Sequence, residues 1–181
     1  MCFAQSAEVQ AKIAEIRKAY NNQKEWIETM LSDEYIPDDY ISAKIRHNIA
    51  GVGQTDGTVD FYFNDDFDED IGRYVSYLNF VRRTIIYTIA ESKTYEEYLY
   101  DDEGLPAFYY ASFRTVMDGE VVYVEMRVYY DKGVQIHNIC KVGKDMSSLK
   151  EVKANDEFFE YMADGLQQFG VLKESFNKLV N

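Results

Sequence analysis

Side chains able to do acid–base, nucleophilic or metal chemistry are few and scattered in this chain. Two histidines, His47 and His137, and two cysteines, Cys2 and Cys140, occur in 181 residues. A Ser-His-Asp or Cys-His site would need distant residues to converge. The signatures G-x-S-x-G, H-E-x-x-H, P-loop and G-x-G-x-x-G are missing, and Gly51-Val52-Gly53 reads as a turn. No C-x-x-C occurs, which removes structural zinc and thioredoxin-like chemistry. The sequence therefore leans away from an enzyme and asks for no organic cofactor.

Carboxylates are the exception. Asp60, Asp65, Asp66, Asp68, Glu69 and Asp70 crowd one short stretch. Such oxygen-rich chemistry suits Ca²⁺, with Asp65, Asp66, Asp68 and Asp70 as candidate ligands. An EF-hand register starting at Asp66 fails, because Ile71 stands where glycine belongs and Tyr77 where the bidentate glutamate belongs. The competing reading is a solvated loop between strands, whose charge discourages edge-to-edge pairing.

A third set alternates along the segment 120–142. If Tyr130 and Val134 flank the turn Asp131-Lys132-Gly133, then Val128 faces Ile136 and Arg127 faces His137. One face carries Val122, Val124, Met126, Val128, Ile136 and Cys140, where the thiol acts as a small hydrophobe. The other carries Tyr123, Glu125, Arg127, Tyr129 and His137, with Gln135 and Lys141 beside them. Aromatic rings beside mixed charges are what a small polar ligand, a glycan or a protein partner requires. Tyr98, Tyr100, Phe108 and Tyr110 extend that surface through the preceding hairpin. Cross-strand pairing on a solvated sheet face explains the same composition.

The elements that must position these residues are legible from periodicity. Val9, Ile13, Ile16, Tyr20, Ile27 and Met30 recur at helical spacing, predicting a helix from Ser6 to Leu31 with a break in its stripe at Gln23. Residues 32–39, with Pro37, should end it. The period then changes to two. Strands are expected over Tyr40–Ile49, where His47 shares parity with Ile45 and Ile49, and over Thr58–Phe63 and Tyr74–Ala90. Four more, Tyr95–Tyr100, Ala107–Arg114, Glu120–Tyr130 and Val134–Val142, form a meander. Asn155 caps a final helix whose buried stripe is expected at Phe158, Phe159, Met162, Leu166 and Phe169, bending or breaking at Gly170. The sum is an α+β domain: an N-terminal helix, an antiparallel meander sheet of six to seven strands, and a C-terminal helix or helix pair. The helices are expected on one sheet face.

Nineteen basic and thirty-two acidic side chains set a formal charge of −13. That balance argues against nucleic acid or an anionic membrane surface as partner. Sixteen tyrosines and eleven phenylalanines argue against disorder. One domain, residues 6–181, suits the length. Residues 1–5 read as a disordered start or the remnant of a signal peptide, with Cys2 and Ala4 as the small residues ahead of a mature Gln5. No apolar run reaches the ~18 residues of a membrane helix. A secreted or periplasmic location is expected, and a cytoplasmic one is compatible with the cysteine count.

With Glu15-Ile16-Arg17-Lys18-Ala19-Tyr20 at the front and Tyr95-Glu96-Glu97-Tyr98-Leu99-Tyr100-Asp101 in mid-chain, the sequence resembles a group of uncharacterised exported proteins of gut bacteria. The resemblance implies export and an α+β fold, and brings no catalytic residue with it. The leading expectation is a non-catalytic secreted or periplasmic module, binding a small molecule, glycan or protein through its uncovered sheet face. One alternative is a small enzyme built around Glu125, Arg127 and His137 on a curved sheet. Another is a structural protein that self-associates through a strand edge. A monomer or weak dimer is expected.

Overall fold

The computed structural model describes residues 6–32, 39–49, 53–87 and 92–180. The signal-peptide remnant expected at 1–5, the helix stop expected at 33–38 and the Gly51 turn lie outside the described residues. Helix α1 spans Ala7–Ser32. Ser6 caps it, its Oγ accepting the Val9 N–H at 3.2 Å. Eight strands follow in sequence order: β1 Tyr40–Ile49, β2 Gly53–Asp68, β3 Arg73–Tyr87, β4 Ser92–Tyr100, β5 Pro106–Met117, β6 Glu120–Asp131, β7 Val134–Gly143 and β8 Lys150–Val152. Each pairs antiparallel with the next, one uninterrupted meander. The strand count exceeds the sequence reading by the short β8, an exposed edge with no period to betray it.

Helix α2, Asp156–Val180, is one continuous helix through Gly170. Asn155 caps it, its Oδ1 accepting the Phe158 N–H at 3.0 Å. Its buried stripe is Phe158, Met162, Gly165, Phe169, Leu172 and Phe176, whereas Phe159 and Leu166 are turned outward. The stripe alternates steps of four and three, and Gly165 fills the place where a ring of the sheet comes too close for a side chain. It lies on Val81, Tyr98, Tyr100, Tyr109, Met126, Val128 and Tyr130, the larger core. Each such large apolar side chain contributes about 1.5–3 kcal/mol on burial.

The opposite face is not bare. Ile13, Ile16, Ile27 and Met30 of α1 pack on Tyr62, Phe80, Leu99, Phe108 and Tyr129. The two helices therefore sandwich the sheet instead of sharing one face. The reason is legible in the strands: both faces of β2–β6 carry large apolar residues, and each needs its own cover.

Two turns set the register. Lys132 and Gly133 (φ 50° and 75°) form a two-residue hairpin turn, as do Asp118 and Gly119 (φ 52° and 79°). The first is one residue shorter than the sequence suggested. Asp131 pairs Val134, and a bulge after Tyr130↔Gln135 places Tyr129 opposite His137. Arg127 therefore faces Ile139, not His137, and Ile136 turns to the α1 side. The acidic stretch expected as a loop is strand almost throughout, because β2 and β3 stay paired from Asp68↔Arg73 upward. His47, expected in the core, is exposed with Ile45 near the sheet edge. No helix among the described residues is long and apolar enough to cross a membrane.

Candidate functional site

The α1 side of the sheet is apolar at one end and ionic in the middle. Cross-strand pairing lines up Asp60, Arg82, Glu97, Tyr110 and Arg127 in one row across β2–β6. Glu97 is completely buried. Burying a carboxylate costs several kcal/mol (about) unless charge and hydrogen bonds compensate it. Tyr20 of α1 and Tyr95 of β4 both donate their hydroxyls to it, the latter at 2.5 Å. Lys24 Nζ lies 3.2 Å and Arg82 Nε 3.4 Å from the same Oε1. The break in the apolar stripe of α1 has its explanation here: the helix turns Tyr20 and Lys24 onto a buried charge. Burial, reinforced by the Glu97 charge, drives the Tyr20 phenol far above its usual ionisation range.

Beside this clasp a cleft of about 510 Å³ opens between α1 and β5–β6. Arg17, Lys24 and Arg127 supply cations, while Tyr20, Phe108, Tyr110 and Tyr129 supply rings. Glu25 and Glu28 stand at its exposed rim. Arg17 Nε donates to Tyr129 Oη at 3.0 Å with its guanidinium 5.3 Å from that ring's centre. Arg127 reaches Glu125 at 3.0 Å, and Lys141 reaches the same carboxylate at 3.5 Å. Neither contact exhausts the five donors of a guanidinium. Tyr110, whose phenol burial pushes up to about 12, floors the cleft between them.

Of the residues singled out from sequence, Arg127 and Tyr129 line this cleft. Glu125 is buried at its side as the partner of Arg127. His137 stacks on Tyr129 with ring centres 5.7 Å apart, and burial holds its imidazole below the usual range. Tyr123 sits under Arg114 at 5.3 Å, away from the cleft. Phe108 and Tyr110 extend the surface as expected, but Tyr98 and Tyr100 belong to the α2 core. Glu125 pairs with Lys141 and His137 with Tyr129, four residues apart on β6, or roughly 13 Å. The geometry does not bring the supposed acid–base pair together.

The carboxylates Asp65, Asp66, Asp68 and Asp70 do not converge either. Asp65 accepts the Ser76 hydroxyl at 2.5 Å, and Asp68 accepts the N–H groups of Asp70 and Ile71 in the β2–β3 turn. Among the described residues no group of three or more His, Cys, Asp or Glu is arranged to hold a metal ion.

Arg17, Tyr20, Lys24, Arg82, Tyr95 and Glu97 escaped the sequence reading as site residues. One signal was present: two adjacent carboxylates, Glu96-Glu97, in the middle of an aromatic strand. Comparison with family models, curated proteins and solved structures finds no match to this chain.

Proposed function

We propose that this protein is a non-catalytic binding module, exported to the envelope or beyond, whose ligand occupies the cleft between α1 and β5–β6. The observation that carries the reading is the lining: two guanidiniums with donors to spare, Arg17 and Arg127, share it with the rings of Tyr110 and Tyr129. A volume of about 510 Å³ suits a small molecule. The chemistry suits one joining an anionic group to a ring with an apolar face, the anion on the guanidinium forks and the ring against the tyrosines. A sugar acid or an aromatic carboxylate has that form. Export rests on the resemblance in sequence.

The test is a thermal-shift screen of aromatic carboxylates, sugar acids and their neutral counterparts, followed by calorimetry. Acids should raise the melting temperature, and Arg17→Ala and Arg127→Ala should each weaken binding about tenfold or more. Neutral compounds that bind equally well, unaffected by either substitution, would overturn the assignment.

A further inference from the structure

A second site lies on the open edge of β3, apart from the α1 cleft. β3 pairs with β2 from Asp68↔Arg73 to Thr55↔Tyr87, with a bulge at Asn79. Its pairing with β4 begins only at Phe80↔Leu99. From Arg73 to Leu78, β3 therefore has a strand on one side and none on the other. Such an edge presents backbone N–H and C=O groups to whatever comes alongside.

What stands alongside is a cleft of about 540 Å³, closed on its far side by the β4–β5 turn and the last turns of α2. That wall is rigid. The Asp101 carboxylate accepts the N–H groups of Glu103 and Leu105, and Lys173 of α2 donates to the Gly104 carbonyl at 2.7 Å. The open edge and this opposing wall bound a slot. Ser76, Tyr77 and Asn79 line its β3 side, and Asp102, Glu103 and Asn177 the other.

We infer that this slot captures an extended, lysine- or arginine-bearing segment of a partner protein as an added antiparallel or parallel strand. Pairing along the edge supplies the backbone bonds, and alternate side chains meet the walls. Charge selects the occupant. Asp66, Asp102 and Glu103 line the slot, while Lys173 is engaged with the Gly104 carbonyl. Tyr77, 48% exposed, offers a ring face to a cationic side chain. A second copy of the chain is the wrong partner. Its edge carries the same acidic surroundings, and each copy has a formal charge of −13.

The experiment uses the full chain and a labelled peptide of about seven residues alternating lysine and valine, long enough to span the edge at ~3.3 Å per residue. Controls are the same peptide with every backbone amide N-methylated and one with glutamate for lysine. Fluorescence anisotropy reads affinity, and backbone amide shifts read location. The lysine peptide should bind and shift the amides of residues 73–78. N-methylation, glutamate replacement, and the double variant Asp102→Lys/Glu103→Lys should each weaken binding about tenfold or more. The double variant is on an exposed turn and should melt as the parent does. Binding of the N-methylated peptide within about twofold would show charge alone at work and overturn the inference. So would shifts confined to other strands, no binding at about 1 mM peptide, or sedimentation showing that the edge is occupied by a second copy.

Discussion

Glu96 and Glu97 are neighbours on β4 and point through opposite faces of the sheet, each into its own buried ion pair. Glu97 meets Lys24 and Arg82 under α1. Glu96 meets Arg83 at 3.3 Å under α2, and accepts the Tyr109 hydroxyl at 2.9 Å. Arg82 and Arg83 are likewise adjacent on β3, opposite Glu97 and Glu96 in the ladder. One pair of strands thus carries two ionic locks, one per helix. Register fidelity is the consequence, because a slip by one residue would present each arginine to the wrong face.

The lock under α1 gives the largest expected stability loss. Glu97→Gln removes the charge while Lys24 and Arg82 stay in place, and breaking a buried pair in this way costs about 3–5 kcal/mol. Urea denaturation of the variant measures it. The double variant Glu97→Leu/Arg82→Met should recover a large part of the loss, since no orphaned charge remains. A loss below about 1 kcal/mol for Glu97→Gln would mean the carboxylate is not held as described.

Two glycines of α2 should respond in opposite senses. A Cβ on Gly165 would sit 2.4–2.9 Å from the buried Tyr109 ring, whereas one on Gly170 meets nothing within 4 Å. Gly165→Ala should therefore push α2 off the sheet and cost about 1–3 kcal/mol. Gly170→Ala should stabilise by up to about 1 kcal/mol through helix propensity. Thermal melts of the two variants settle it, and equal effects would refute the packing of α2 on Tyr109.

Alkaline pH should unfold the protein through its tyrosines. Burial pushes the Tyr62 and Tyr110 phenols up to about 12 and those of Tyr20, Tyr98, Tyr100, Tyr109 and Tyr130 well above the usual range. The unfolded chain ionises near pH ~10. Their contribution is whole below that pH and is lost as pH rises towards the folded values. Phenolate absorbance and circular dichroism should change together above pH ~10. The Cys140 thiol, buried and pushed up to about 11, should stay unreactive to thiol reagents until the same transition. Early ionisation of these tyrosines in a folded chain would contradict the burial.

His137 should mark the acid side. Desolvation, helped by the Arg17 charge, lowers its pKa from 6.5. The folded state binds this proton less well than the unfolded one, so its contribution is whole above the unfolded value and declines as pH falls below it. The imidazole titration followed by nuclear magnetic resonance should have a midpoint below 6.5. His137→Gln should flatten the dependence of stability on pH in that window. A midpoint above 6.5 would sink the placement of His137 against Tyr129 and Arg17.

Much of the architecture follows from local pattern. The caps at Ser6 and Asn155, the seven longer strands and the α+β class need only residue types and the periods 3.6 and 2, which neighbouring residues set. The candidate cleft was legible by half. Parity put Arg127 and Tyr129 on one face of β6, because alternation is a property of the strand itself. It misplaced α1, expected beside α2 on one face, since an amphipathic helix has one stripe and no mark saying which sheet face it will cover. The bulge at Tyr129/Tyr130, which moves His137 opposite Tyr129, accompanies a hairpin turn one residue shorter than the local sequence suggested. Glu97 shows the same division. Its presence in an aromatic strand was visible, but Lys24 and Tyr20 lie more than seventy positions away and Arg82 on the neighbouring strand. Charges so distant in sequence become partners only when the chain closes on itself, because burial, not proximity along the chain, makes their pairing obligatory.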